Sequence, residues 1–206
     1  MNITLTSVDQ YSGTVRVFSD SDETQYIKTS VKRIINPGTP QQKEVSVSPD
    51  EEVGIVVSPQ RFILPRQSSH LVRILPVNIP KKEGVYRVYI SSLPDDDIAH
   101  TDNKEGNAQI TINVIWGVLV YVTPEQSGVS LSYNATSGKL TNKGNTHVNI
   151  SAYGFCQSEN NCKWKVFNHS IYPEMSYVIA DKDRKENHSL FVKYQLGQTH
   201  TILKVN

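Results

Sequence analysis

The sequence predicts an all-β protein of two sandwiches, and three observations carry that prediction. Helical periodicity is almost absent, while short runs rich in Val, Ile, Thr and Tyr recur between turn signals. The chain has 206 residues, room for two small domains or one large β domain. The series of strands breaks at "TPEQSG" (Thr123–Gly128) and then starts again.

In the first series, strands are expected at Ile3–Thr6, Thr14–Phe18, Gln25–Ile35, Val45–Val47, Gly54–Ser58, Arg61–Leu64, His70–Pro76, Gly84–Leu93 and Gln109–Val122. "NPG" at Asn36–Gly38 and "PDDD" at Pro94–Asp97 are turn or loop chemistry between them. Many short strands, turns between them and no helices make a sandwich pattern. The second series is expected at Val129–Asn134, Gly138–Asn142, Val148–Phe155, Trp164–Phe167, Tyr177–Ile179, Leu190–Leu196 and Thr201–Val205. The boundary therefore falls near Pro124, with residues 1–124 as the first domain and residues 125–206 as a smaller second one. A sandwich of about 80 residues has a thin core and gains from a cross-link.

The last strand of the first domain is unusual. Every even position from Ile110 to Val122 is apolar: Ile110, Ile112, Val114, Trp116, Val118, Val120 and Val122. The odd positions begin polar, with Thr111 and Asn113, and then become Ile115, Gly117, Leu119 and Tyr121. A half-buried strand alternates throughout. One that turns apolar on both faces is either an interior strand or an edge that calls for a partner, because an exposed apolar edge invites aggregation.

Charge and motifs exclude several function classes. Lys and Arg total 21 against 20 Asp and Glu, which points to neither nucleic acid nor an anionic membrane. No apolar run approaches the roughly 20 residues that span a bilayer. The opening "MNITLTSVDQ" has neither the basic nor the apolar region of a signal peptide. A cytosolic protein, or one whose leader has been removed, is expected. "LGQTH" and "NKGNTH" carry Gly but lack the Lys-Ser/Thr and helix start of a phosphate loop. The six histidines are scattered, and the acids of "PDDD" and Asp102 do not match a calcium loop. Nothing orders Ser, His and Asp into a nucleophile and base. The expectation is a protein that is no enzyme and that needs no cofactor or metal.

Cys156 and Cys162, in "FCQSENNCKW", suit a small disulfide closing a hairpin, which would imply an oxidising compartment. Two free thiols are the alternative. A zinc site would need more ligands than His147 and His169 add. Five N-x-S/T sequons, at Asn2, Asn134, Asn149, Asn168 and Asn187, would be glycosylation sites in a eukaryotic secretory protein. They keep a two-domain Ig-like adhesin or receptor ectodomain as the rival reading.

A family resemblance runs over most of the chain. "VSPQRFILPRQSSHLVRILPVNIPKKEGVYRVYISSLP" (Val57–Pro94) resembles the first domain of the PapD-like periplasmic pilus chaperones. Its pieces are Pro59 to Pro65, the apolar-Arg strand "LVRI" (Leu71–Ile74) and "EGVYRVYISSLP" (Glu83–Pro94), in which Gly84 replaces the usual Ser. "LTNKGNTHVNISAYG" (Leu140–Gly154) is similar to a second-domain segment in which Asn and a turn precede a Val-rich strand. "QYIKTSVKRIINPGTP" (Gln25–Pro40) and "IPKKEGVYRVY" (Ile79–Tyr89) look most like the class-five chaperones of colonisation-factor fimbriae, a branch that the Cys pair also fits. The loop Asp95–Asn107, short and without cysteine, is unlike that of the long-loop chaperones.

The resemblance implies two immunoglobulin-like sandwiches arranged in an L or boomerang, in the periplasm. It implies partners as well: pilin and adhesin subunits, and an outer-membrane usher that receives them. The strand at residues 109–122 would then be the donor, adding to an incomplete pilin, with Ile110, Ile112, Val114 and Trp116 entering the pilin's groove. An uncovered edge also leaves room for a second copy of the chain to cap it. Members of the family hold the pilin's C-terminal carboxylate with basic residues in the first and last strands of the first domain. Residues 3–9 and Ile110–Pro124 contain no Lys or Arg here. Strand direction suggests Arg16 and Arg87 as substitutes, with Arg33 third, since each would lie toward the linker end and a guanidinium suits a carboxylate.

Overall fold

A computed structural model describes residues 1–7, 9–47, 54–93, 114–179, 188–196 and 199–205. It is all-β, with sixteen strands among the described residues. Two compact units emerge. The first comprises Met1–Ile35, Glu44–Ile79 and Gly84–Val122. The second holds Thr123–Asn206 together with two segments from earlier in the chain, Asn36–Lys43 and Pro80–Glu83.

The first unit is built from β1 (Asn2–Leu5), β2 (Gly13–Phe18), β3 (Gln25–Ile35), β4 (Lys43–Ser46), β5 (Ile55–Ser58), β6 (Arg61–Leu64), β7 (Ser69–Pro76), β8 (Gly84–Ser92) and β9 (Ile115–Val122). One sheet runs β1-β9-β8-β3-β4, with β6 also on β3; the other runs β2-β7-β5. Period-two alternation sorts each strand. In β2, Val15 is buried while Thr14 and Arg16 are exposed, and in β7, Val72 and Ile74 are buried between exposed Leu71, Arg73 and Leu75. The inward residues of both sheets meet in one core that includes Leu5, Val15, Leu64, Ile74, Val88 and Val120.

The second unit contains β10 (Leu131–Asn134), β11 (Lys139–Asn142), β12 (Val148–Cys156), β13 (Lys165–Ile171), β14 (Ser176–Val178), β15 (Ser189–Leu196) and β16 (Thr199–Val205). Its sheets run β10-β11-β14 and β13-β12-β15-β16 around Leu140, Ile150, Ile171, Ile179, Leu190 and Val192. A bulge between Ile150 and Ala152 shifts the register of β12. The segment "NKGNTH" is a turn held by a buried side chain. Asn142 Nδ2 donates to the carbonyls of Thr146 and Ile171, and its Oδ1 accepts from the Gly144 N–H. A buried amide is stable only when its donors and acceptor are paired in this way.

Cys156 and Cys162 are bonded, and they close the connection between the antiparallel strands β12 and β13. The bridged loop lies tight on the sheet: a Cβ at Gly154 would sit 2.6 Å from Cys162 Sγ and 2.8 Å from the Lys163 carbonyl. In the second unit, the segment from the "NPG" turn is packed just as closely. Gly38 has φ +72°, and a Cβ there would come within 3.1 Å of Tyr172. The Pro80–Glu83 segment is tied down by Glu83, whose carboxylate is completely buried. It accepts hydrogen bonds from the His147 N–H (2.6 Å) and the His147 imidazole (2.7 Å).

Candidate functional site

β9 is where the first unit departs from a closed sandwich. On one side it pairs along its whole length with β8, from Ser91↔Ile115 to Gly84↔Val122. On the other side β1 lies parallel to it, but only over Leu119–Val122. The last bond of that ladder is from the Leu119 N–H to the Met1 carbonyl, at 3.2 Å. Among the described residues, nothing pairs with Ile115–Val118 on that side, so half of β9 is an open edge.

The inner face of this edge runs off the end of the core. Val120 is 0% exposed and Val118 4%, but Trp116 is 69% exposed and Val114, just before the strand, 54%. The pattern of the sequence explains the change: apolar residues continue at every second position after the facing sheet has ended. The outer face is apolar there too, with Ile115 exposed, while Gly117 leaves space that the Arg87 stem fills. Val114 and Trp116 share the inner face expected of them. Ile110 and Ile112 lie outside the described residues.

A cavity of about 100 Å³ opens at this end, where the two sheets part. Val17, Ile27, Leu64 and Ile90 form its floor, Val114 and Trp116 one wall, and Phe18, Gln25, Ser91 and Ser92 its mouth. Among the described residues, no ionisable side chain lines it. Phe18 is 68% exposed although its outward position on β2 would ordinarily be polar. Sequence reasoning missed this cavity because its residues come from five strands scattered from Val17 to Trp116.

The three arginines do not form one group. Arg87 is on the outer face of β8, opposite Lys32 of β3 and Leu119 of β9. It forms an ion pair with Glu44, whose other carboxylate oxygen accepts from the Tyr89 hydroxyl at 2.7 Å. The Tyr89 hydrogen bond is the largest influence on the Arg87 pKa; with the Glu44 charge it outweighs the opposing effect of burial and raises the value. Arg16 is on the outer face of the opposite sheet, where its Nη1 donates to Ser69 Oγ at 3.2 Å. Arg33 is in register with buried Tyr86, on the face of the sheet opposite Arg87. The expectation that Arg16 and Arg87 would sit together is thus corrected: strand direction orders them along the sandwich, but β2 joins β7 rather than β8, so the core separates them. Glu44, the acid beside Arg87, gave no signal in the sequence, because its strand is short and 43 positions away.

No family model matches the chain. It is similar to a CFA/I fimbrial protein of Escherichia coli, with 39% identity over 170 residues that cover 79% of this chain and 71% of the relative. Among solved structures it is similar to the class 5 fimbriae chaperone CfaA, with 32% identity, a TM-score of 0.78 and 100% and 95% of the two chains covered. It is also similar to a chain of the chaperone–tip adhesin complex of CFA/I fimbriae biogenesis, with 34% identity, a TM-score of 0.80 and coverage of 99% and 95%.

Proposed function

Because this chain belongs to the PapD-like fimbrial chaperones and resembles their class-five members, we propose that it lends the open edge of β9 to a pilin or adhesin. The protein is a chaperone of the chaperone–usher type, and the members of its family are not enzymes. The observation that carries strand donation is the half-paired edge of β9, with Trp116 and Val114 exposed on its inner face. A strand added there would gain main-chain hydrogen bonds for affinity and alternate side-chain contacts for selectivity. Burying two large apolar side chains stabilises a complex by roughly 1.5–3 kcal/mol each before association costs are subtracted.

The same reading extends to residues and partners beyond the described edge. Ile110 and Ile112 would continue the inner-face series into the pilin. Arg87 would be the carboxylate anchor, since it lies beside β9 and already holds the Glu44 carboxylate, which a pilin C-terminus would displace; Arg16 and Arg33 are weaker candidates for the same task. The chaperone would work in the periplasm, where an oxidising environment maintains the Cys156–Cys162 bond. It would then pass its pilin to an outer-membrane usher. Co-expression with candidate pilins tests the reading. The wild type should co-purify with its pilin, and Val114→Asp plus Trp116→Asp should lose it while remaining folded by circular dichroism. Undiminished pilin recovery with the double variant would remove β9 as the donor.

A further inference from the structure

We propose that the cavity at the open end of the first sandwich is a socket for one aliphatic side chain of the bound pilin, so that the chaperone reads its client as well as lending it a strand. The inference rests on strand donation by β9. The cavity and the open edge share a wall: the Trp116 indole lines the one and stands on the inner face of the other. A strand added along β9 would lie about 4.8 Å away. Its inner-face residue level with Trp116 would then bring its Cβ to about 4.5–5.5 Å from that of Trp116. Any side chain longer than Ala at that place leans over the mouth of the cavity.

Size and chemistry narrow what enters. A cavity of about 150 Å³ holds benzene, so one of about 100 Å³ fits a four-carbon group and not an aromatic ring. The floor of Val17, Ile27, Leu64 and Ile90 offers no side-chain hydrogen-bond partner. A polar or charged side chain would be desolvated there without compensation. The socket therefore selects Leu or Ile at one position of the client strand, and the exposure of Trp116 in the free protein is the open wall of that socket.

Filling the socket from the chaperone side tests this. Ser92 lies on β8, in register with Ile27 of the floor and away from the open edge of β9. Ser92→Leu and Val17→Phe should each fold with an unchanged or raised Tm. In competition with differently tagged wild type for a limiting co-expressed pilin, each should recover at least tenfold less of it. Trp116→Asp, run alongside, reports on strand donation itself. If the filled variants are folded and compete as well as wild type while Trp116→Asp does not, the socket is refuted and strand donation stands. If Trp116→Asp also competes normally, strand donation fails and takes the socket with it. Should both filled variants misfold, Ser92→Cys supplies the answer by alkylation with iodoacetamide. The thiol should react at least tenfold more slowly in the pilin complex than in the free chaperone, and equal rates would overturn the proposal.

Discussion

Trp116→Ala should separate client binding from folding. The indole is 69% exposed in the free protein, so its removal takes little from the fold. A Trp side chain presents up to about 250 Å²; covering the exposed part would remove about 170 Å² from water, worth about 4 kcal/mol at 25 cal/mol per Å². Ordering the indole offsets roughly 1 kcal/mol of that. The remainder, about 3 kcal/mol, is a loss of about 100-fold in affinity. Val118→Ala is the matched control, two residues further along the same face and 4% exposed. It opens a hole in the core and should cost roughly 1–3 kcal/mol of stability. Thermal unfolding followed by circular dichroism reads the fold, and competitive capture of a co-expressed pilin reads binding. The reasoning is wrong if Trp116→Ala captures pilin as well as wild type does, or if it lowers Tm as far as Val118→Ala.

Three further outcomes follow from contacts in the second unit. His147→Ala strips the buried Glu83 carboxylate of its imidazole partner and should cost roughly 2–4 kcal/mol in chemical denaturation; a loss below about 0.5 kcal/mol would mean that the carboxylate finds water. Gly154→Ala forces a methyl against Cys162 Sγ and the Lys163 carbonyl, and overpacking of about 1–3 kcal/mol is expected, so an unchanged midpoint would contradict the packing of the bridged loop. The Lys82 ammonium, first through its hydrogen bond and then through its charge, holds the exposed Glu174 carboxylate below the ordinary value. A folded-state pKa below the unfolded one means that the pair's contribution is present above the usual carboxylate range and is lost as pH falls through the lowered value. It is screened by salt. Lys82→Met should return the Glu174 titration, followed by carboxyl-resolved NMR, to the ordinary range, and an unmoved midpoint would deny the pair.

Period two and local turn chemistry made much of this fold legible from the residues. The alternation from Val114 to Val122 assigns Trp116, Val118 and Val120 to one face before any partner strand is known, because successive side chains must point to opposite sides. Cys156 and Cys162 were legible as a pair, since a six-residue separation within a hairpin brings the sulfurs together. Which strands are neighbours was a different matter. That choice depends on burying both sheets at once, with contacts from residues far apart in sequence. It placed β1 parallel to β9, so that Leu119–Val122 are covered and Ile115–Val118 are left open. It sent Arg16 to the sheet of β7 and Arg87 to the sheet of β9, although strand direction orders both toward the same end. It also ended the facing sheet short of Trp116, which turns a core-facing side chain into an exposed one and leaves the cavity between Val17 and Ile90 open. A period of two reports the side of a strand, and the packed molecule decides where that side stops being covered.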